Sequence, residues 1–475
     1  MKKRWFIALV ALMLLVAACG GDEEGGDTDT TEGATETTAA PDTTEAPTET
    51  TEGEGDGGAG TCDGEEVTLR VFTGSVGQEL ELAIEASERF SELNPCVTVE
   101  NIDTPDFVED RLGTYQQLFE AQSPEGDVFQ IDVIWPGDLA EHFIDLNPMT
   151  DIEGRTGEEI AQDHFPAIIE NNTVDGALIG IPWFTDAGLL YYRSDLLEKY
   201  ELEPPQTWDE LEAAAQTIQD GERAEGNQDF WGYVWQGNAY EGLTCDALEW
   251  VASAGGGSII EPDGTITINN QAAIDIVDQA AGWVGTISPP GVTAYGEEDA
   301  RGVWQAGNAA FMRNWPYAYS LGNADDSPIA GLFDVSPLPG VEAGQSAATL
   351  GGWQLAVSKY SEHPEEASQL AFFLGSYENQ KYRAIEGSFN PTIEELYSDA
   401  EVLEAAPFFG DLYDVFTNAV ARPSTVTAPN YAATSELFFN SVHSVLTGDA
   451  DAEDAFLELE LDLQDLHPDF SVGTP

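Results

Sequence analysis

Residues 67–102 read VTLRVFTGSVGQELELAIEASERFSELNPCVTVENI. The apolar segment Val67 to Phe72 is typical of a buried strand. A segment with helical spacing follows and ends at Pro95, and 97–102 forms a second strand-like segment. A strand, a helix and a strand in this order predict layers of α and β structure.

The rest of the chain continues this alternation, so the predicted fold class is α/β. With 475 residues, the chain has room for two or three domains. Further helices are predicted at 107–121, 207–218, 271–284, 364–385, 430–447 and 451–466, and further strands at 128–134, 178–182, 230–235, 331–336 and 351–357.

The composition excludes a wholly disordered chain and a nucleic-acid-binding protein. A hydrophobic content of 42% with 10% aromatic residues is enough to build cores, so most of the chain should fold. The 16 basic residues against 88 acidic ones give a formal net charge of −72. Such a charge repels phosphate backbones, and nucleic acid is therefore excluded as a partner.

The amino terminus has the pattern of an export signal. Basic residues 2–4 precede an apolar run from Trp5 to Val16, which is typical of a secretory signal peptide at 1–18. The sequence that ends at Cys19 resembles the bacterial lipobox, in which the cysteine is lipidated and becomes the mature amino terminus. The alternative is an ordinary exported protein in which Cys19 is discarded with the signal.

Residues 19–61 consist almost entirely of Gly, Thr, Ala, Pro and acidic residues after the cysteine. This composition cannot bury apolar area, so it predicts a disordered acidic linker. Together with a lipid on Cys19, it would tether an exported domain to the outer face of the cytoplasmic membrane.

Three further cysteines lie in this exported context. Cys62 and Cys96 each precede a predicted strand, and if the two strands are parallel neighbours, both thiols lie at the same end of the sheet. A disulfide between them is then reasonable in an oxidising compartment, although spacing alone does not establish it. Cys245 lies in a helical pattern and is predicted to be a buried, unpaired residue.

The known catalytic and cofactor motifs are absent from the sequence. It contains no phosphate-binding G-x-x-x-x-G-K-[ST] loop, no H-E-x-x-H and no G-x-S-x-G. The five histidines lack ligand spacing, so we predict neither a metal nor a cofactor. Carboxylates are so numerous that any two could form a glycosidase pair, and their number therefore does not support an enzyme.

Aromatic residues beside polar groups recur at segments marked by Gly or Pro. Examples are 129–137 (FQIDVIWPG), 181–188 (IPWFTDAG), 313–317 (RNWPY) and 350–353 (LGGW). Aromatic rings pack on the C–H faces of sugars, while charged side chains bind the hydroxyl groups. Four such clusters after strand-like segments favour a binding crevice at strand ends.

These motifs resemble those of the trehalose/maltose-binding proteins of bacterial and archaeal ABC importers. The resemblance covers nearly all of residues 66–466 and rests on long, ordered motifs at 73–79, 129–137, 184–192, 240–250, 308–317 and 349–353. It implies a type II periplasmic-binding-protein fold with two discontinuous lobes joined by crossing hinge segments. The expected lobes are 66–187 with 333–380 and 188–332 with 381–467.

The resemblance also implies a ligand site. It assigns hydroxyl-binding, stacking or backbone roles to Glu79, Arg111, Asp132, Asp186, Trp315, Tyr317, Gly351, Gly352, Trp353 and Arg422. The alternative for Arg111 and Arg422 is an ion pair on an acidic surface. Phe184 departs from a close relative, which has Tyr there, so one hydroxyl contact is missing and the preferred sugar could differ.

The expected function is capture without chemistry. A monomer would bind an α-linked glucose disaccharide and deliver it to the permease subunits of an ABC importer, which are separate chains. Two other classes stay open: an extracellular α-glucoside-processing enzyme, and a sensor that presents the bound sugar to a membrane receptor.

Overall fold

The computed structural model describes residue 62 and residues 64–475. The predicted signal peptide at 1–18, Cys19 and the linker to residue 61 lie outside the described residues. The described part contains a five-stranded sheet and a four-stranded sheet, each covered by helices. This is the α/β architecture with two lobes that the sequence predicts. We call the part built on the five-stranded sheet the first lobe and the part built on the four-stranded sheet the second lobe.

The larger sheet has the order β2-β1-β3-β12-β6, and the smaller one has the order β11-β7-β10-β8. The other four strands form the pairs β4-β5 and β13-β9. The strands are β1 (Val67–Thr73), β2 (Val97–Asp103), β3 (Val128–Asp132), β4 (Thr173–Val174), β5 (Ala177–Leu178), β6 (Ile181–Ala187), β7 (Leu189–Tyr192), β8 (Trp231–Val234), β9 (Thr265–Ile266), β10 (Ala309–Asn314), β11 (Asp334–Ser336), β12 (Leu350–Val357) and β13 (Ser471–Val472).

The helices pack on the two sheets, and none of those within the described residues combines the length and the apolar character that a membrane crossing requires. They are α1 (Glu79–Leu93), α2 (Val108–Glu120), α3 (Pro136–Leu139), α4 (Gly157–Ile160), α5 (Pro166–Asn171), α6 (Ser194–Tyr200), α7 (Trp208–Glu225), α8 (Glu241–Ser253), α9 (Gln271–Trp283), α10 (Glu297–Gln305), α11 (Ala318–Gly322), α12 (Pro364–Leu374), α13 (Tyr377–Gly387), α14 (Ala400–Ala405), α15 (Phe408–Asp411), α16 (Tyr413–Thr417), α17 (Ser424–Thr427), α18 (Tyr431–Leu446) and α19 (Ala452–Leu466).

The opening β1-α1-β2 unit has the predicted order. Strands β1 and β2 pair in parallel over their whole length, with Val67 opposite Val97. Helix α1 covers them with a face centred on Leu82 and Phe90, which are buried. Ile84 is 39% exposed, because it lies two residues, or about 200°, around the helix from Leu82.

The chain crosses between the sheets at two pairs of strands. Strand β6 of the larger sheet continues into β7 of the smaller one through Gly188 alone. A side chain at Gly188 would meet the Glu249 carboxylate, since a Cβ there would lie 2.0 Å from its Oε1. The return crossing runs from β11 to β12.

Two of the predicted lobe boundaries differ from the structure. The segment from residue 333 was assigned to the first lobe, but β11 pairs with β7 in the smaller sheet. The boundary after residue 380 falls inside α13, which continues to Gly387. The first boundary was wrong because β11 belongs to the smaller sheet, and the second was wrong because it divides a single helix.

The structure joins Cys62 to Cys96 in a disulfide, next to the paired ends of β1 and β2. Cys245 is the free cysteine of the described residues and is buried.

We expect the exported domain that starts at residue 62 to show one reactive thiol after denaturation without reductant, because only Cys245 is left unpaired. Thiol titration in guanidinium chloride, with a reduced sample as the control, measures this number. Three reactive thiols in the unreduced sample would contradict the disulfide.

Candidate functional site

A cavity lies where the ends of three neighbouring strands of the larger sheet meet the second lobe. Strand β12 runs antiparallel between β3 and β6. Its register places Trp353 opposite Asp132 and Gly351 opposite Asp186. The strand pairing therefore brings together polar and aromatic residues that are far apart in the sequence. Trp315, which directly follows β10, faces them from the smaller sheet.

The cavity is narrow, with a volume of about 60 Å³. Its walls contain six carboxylates, several aromatic rings and one arginine. It is lined by Val76, Glu79, Asp106, Val108, Asp132, Asp186, Tyr240, Glu241, Gly242, Cys245, Glu297, Trp315, Tyr317, Gly351, Gly352, Trp353, Phe389 and Arg422.

Nine of the ten residues predicted for the ligand site line this cavity, and Arg111 does not. Arg111 is only 1% exposed and lies behind the wall. Its guanidinium stacks 4.3 Å from the centre of the Trp353 ring, and its Nε donates a hydrogen bond to the carbonyl of Pro105 at 3.1 Å. Arg111 therefore contacts the cavity through the ring of Trp353.

Arg422 forms a buried double ion pair. Its Nη2 lies 2.9 Å from Oδ1 of Asp132, and its Nη1 lies 2.8 Å from Oε1 of Glu241. Ser435 donates a further hydrogen bond to Glu241 at 2.6 Å. The pair links the end of β3 to the start of α8, so Arg422 lines the cavity and also connects the two lobes. The sequence alternative for Arg422, an ion pair, is present, but inside the protein rather than on its surface.

Arg313 supports the ring of Trp315 from behind. It is buried and pairs with Asp246 at 2.7 Å and with Glu249 at 2.5 Å. Its guanidinium lies 3.9 Å from the centre of the Trp315 ring. Burial raises the pKa of both carboxyl groups, and the positive charge of Arg313 opposes this rise. Two carboxylates and one guanidinium thus fix one face of Trp315 and leave its opposite side to the cavity.

The two glycines of β12 leave room that a side chain would occupy. A Cβ at Gly351 would lie 3.1 Å from both the Trp315 ring and Cβ of Asp186. Gly352 has a φ of +117° and its Cβ would lie 2.6 Å from the carbonyl oxygen of Phe184. Gly352 therefore needs glycine for its backbone conformation, and Gly351 needs it for the close approach of Trp315.

The two lobes touch each other around the mouth of the cavity. Phe107 packs edge-to-face on Tyr240 with ring centres 5.1 Å apart. Ser320 donates a hydrogen bond to Gln78 at 3.3 Å, and Tyr317 packs against the Gly77 turn. The structure is therefore the closed arrangement of the lobes.

Burial raises the pKa of two carboxyl groups on the first-lobe side of the cavity, Asp186 and Glu79. Burial raises the pKa of Asp186 well above its ordinary value, and the charge of Glu79 raises it further, while Arg313 and Arg383 oppose the rise. Burial also raises the pKa of Glu79, against the charges of Arg111 and Arg383. Oδ1 of Asp186 has no hydrogen-bond partner. Such an atom can accept a hydrogen bond from a ligand hydroxyl group. Within the described residues, no group of three or more His, Cys, Asp or Glu side chains is arranged to hold a metal ion.

The carboxylate of Glu109, in the first lobe, forms a hydrogen bond to the second lobe and lies near other carboxylates. Its Oε1 accepts a hydrogen bond from the backbone N–H of Glu241 at 2.7 Å. Partial burial of this group, together with the charges of Glu241 and Glu297, raises the pKa of Glu109 to about 7. In a separated first lobe these two neighbours would be distant, and the pKa would return towards the ordinary value of about 4.3.

Closure should therefore take up a proton between about pH 4.5 and pH 7, and ligand affinity should strengthen as the pH falls from 8 to 6. Calorimetry in two buffers with different ionisation enthalpies measures this proton. The E109Q variant should take up fewer protons than the wild type, whereas D110N, on the adjacent exposed position of α2, should match the wild type. Equal proton uptake by E109Q and the wild type would contradict the prediction.

Sequence reasoning missed several residues of the site. Glu241, Asp246 and Glu249 lie within a motif that carried the resemblance, yet no role was given to them. No sequence pattern pointed to Glu297 or Phe389 as site residues. Each lies in a segment whose distance from the cavity depends on how the two lobes pack. Phe184, noted for its missing hydroxyl, is buried behind Phe389, with ring centres 4.9 Å apart.

Comparison with known proteins defines the family. Residues 74–381 match the profile of the bacterial extracellular solute-binding proteins, so the chain belongs to this family. It is a family of substrate-binding proteins of ABC transporters, which are not enzymes.

Two relatives are similar over most of the chain. A probable ABC transporter-binding protein of Deinococcus radiodurans is 51% identical over 385 residues, which cover 80% of this chain and 89% of the relative. The maltose-bound structure of T. maritima MalE3 is 40% identical, has a TM-score of 0.79, and covers 84% of this chain and 100% of its own. A galactooligosaccharide-binding protein of Bacillus subtilis is 25% identical over 61% of this chain and 66% of its own.

Proposed function

We propose that the protein captures an α-linked glucose disaccharide of the trehalose or maltose kind and delivers it to the permease of an ABC importer. The observation that carries this proposal is the cavity between the lobes. It combines half-buried Trp315 and Trp353 with buried carboxylates, of which Asp186 has a free acceptor atom. This is the chemistry that binds the apolar faces and the hydroxyl groups of a sugar.

The maltose in the 40% identical structure supports an α-glucoside as the ligand. Phe184 lies behind Phe389 and does not line the cavity, so its missing hydroxyl group is not a direct contact of the sugar. Glu79, Asp132 and Asp186 would accept hydrogen bonds from the sugar, and Trp315, Tyr317 and Trp353 would contact its ring faces. Gly351 and Gly352 would contribute backbone N–H groups.

The proposed location is the outer face of the cytoplasmic membrane, with Cys19 lipidated after removal of residues 1–18. The acidic linker up to residue 61 would then let a monomeric binding domain reach the permease. A C19A variant expressed in a bacterial host with radiolabelled palmitate should lose the label that the wild type carries. Equal labelling would show that Cys19 is not the anchor.

Calorimetry with trehalose, maltose, sucrose, glucose and a galactooligosaccharide tests the proposed ligand. We expect the tightest binding with an α-linked glucose disaccharide and recovery of the sugar intact after long incubation. Tighter binding of the galactooligosaccharide would overturn the ligand class. Hydrolysis by the purified protein would instead favour the enzyme, and the absence of a neighbouring permease gene pair would favour the sensor.

A further inference from the structure

Arg383 is a buried arginine beside the cavity whose side chain has no hydrogen-bond acceptor. It lies on α13 and is 2% exposed. Its Nε, Nη1 and Nη2 all lack a partner. Buried polar atoms of proteins are almost always paired, so an arginine left in this state needs an explanation.

Three aromatic rings hold the guanidinium in place. Its central carbon lies 4.0 Å from the centre of the Trp183 ring, 4.3 Å from that of Phe389 and 5.0 Å from that of Phe184. Phe389 lines the cavity, and Phe184 lies two residues before Asp186 on β6. The rings therefore fix the positive charge directly behind the cavity wall.

Two other buried arginines of this region are neutralised by direct ion pairs, whereas Arg111, behind the Trp353 ring, forms none among the described residues. Arg313 pairs with Asp246 and Glu249, and Arg422 pairs with Asp132 and Glu241. Arg383 has no such pair. The positive charge of Arg383 therefore acts at a distance, on carboxylates with which it forms no ion pair.

The carboxylates nearest in effect are Glu79 and Asp186. Burial and the charge of Glu79 raise the pKa of Asp186, and the charges of Arg313 and then Arg383 oppose this rise; burial raises the pKa of Glu79, and the charges of Arg111 and then Arg383 oppose it. The same two carboxylates are the charges that act on Arg383. The charges of Arg383, Glu79 and Asp186 therefore influence one another across the cavity wall.

We propose that Arg383 is a positioning residue for the ligand, whose unpaired charge favours the carboxylate forms of Asp186 and Glu79 in the closed cavity. As carboxylates, they accept charge-assisted hydrogen bonds from ligand hydroxyl groups, which are about twice as strong as neutral ones. This inference rests on the proposed function for the identity of the ligand.

The test compares R383M, which keeps the volume between the rings, with R383K, which keeps the charge. At pH 7 we expect R383M to bind the preferred disaccharide about tenfold more weakly, because the acceptors become partly protonated. The loss should shrink as the pH rises to 9, where the carboxyl groups ionise again. R383K keeps the charge and should recover part of this loss, although an ammonium group stacks less well on the rings than a guanidinium.

A double-mutant cycle and a control variant make the outcome decisive. In a D186N background, R383M should cost less than in the wild type, because one of the groups it serves is already neutral. R193M removes another buried arginine, whose partner Asp195 lies outside the cavity, and should bind like the wild type. An R383M loss that is the same at all pH values and in both backgrounds, or that R383K shares in full, would mean that Arg383 acts through packing and would overturn the proposal.

A ligand-free measurement separates this inference from the proposed function. The wild type should have a higher free energy of unfolding than R383M, and this difference should grow as the pH rises from 5 to 8. At low pH, Glu79 and Asp186 are protonated in R383M and no longer need a compensating charge. If the wild type binds none of the sugars but the stability difference between it and R383M shows this pH dependence, the proposed ligand is wrong. The inference that Arg383 stabilises the two carboxylates then still holds. A pH-independent difference contradicts that role whatever the ligand.

Discussion

Replacing Arg313 with methionine is expected to lower the free energy of unfolding by about 3–5 kcal/mol at pH 7.5, the range found when one partner of a buried ion pair is removed. Asp246 and Glu249, both 1% exposed at their side chains, would lose the charge that compensates them. Urea denaturation followed by circular dichroism gives the change. The loss should be smaller at pH 5, because protonation removes the uncompensated charge.

The sign of this pH dependence follows from the carboxyl groups. A carboxyl whose pKa is higher in the folded than in the unfolded state destabilises the fold increasingly as the pH rises above the unfolded value. R70M is the matched control, because Arg70 pairs with Glu100 on the surface and such pairs contribute at most about 1 kcal/mol. A loss for R313M no larger than that for R70M, or one that grows as the pH falls, would contradict the assignment.

The second large effect is expected for binding. Replacing Asp186 with asparagine should weaken the preferred disaccharide by about 10- to 150-fold, since hydrogen bonds to charged groups contribute about 1.5–3 kcal/mol. Stability at pH 7 should not fall, because the substitution removes a buried carboxyl whose pKa is already raised. Calorimetry gives the affinity, and urea denaturation gives the stability.

Asp138 provides the control for this substitution. Its Oδ1 also lacks a hydrogen-bond partner and burial raises its pKa, but it does not line the cavity. D138N should therefore bind the sugar like the wild type. Near-normal affinity of D186N, or equal weakening by D138N, would remove Asp186 from the site.

Much of the fold follows from local patterns. The β1-α1-β2 unit, the strand at 128–132 and the helix that begins after the capping box at Thr207 all lie within a few residues of their predicted positions. One predicted helix at 364–385 is two helices, α12 and α13, because Gly375 and Ser376 interrupt it. Both residues favour helix ends, but an apolar pattern that continues across them hides the break.

The site was predictable where it depends on strand ends. Asp132 and Asp186 follow apolar strand segments, and the register of β12 places Trp353 and Gly351 opposite them. All six residues of β10 are buried, so the period of two that marks a sheet face is lost there. The sequence therefore could not show that Arg313 turns towards Asp246 and Glu249, nor that Arg383 reaches the cavity wall from a helix of another segment.

A crystal structure of the protein with its tightest-binding α-linked glucose disaccharide shows whether the cavity between the lobes is the sugar site. We expect a sugar enclosed between the lobes, with a hydroxyl group within hydrogen-bond distance of the Asp186 carboxylate and a ring face against Trp315 or Trp353. A sugar bound outside this cavity, or inside it without either contact, would show that the cavity is not the proposed site.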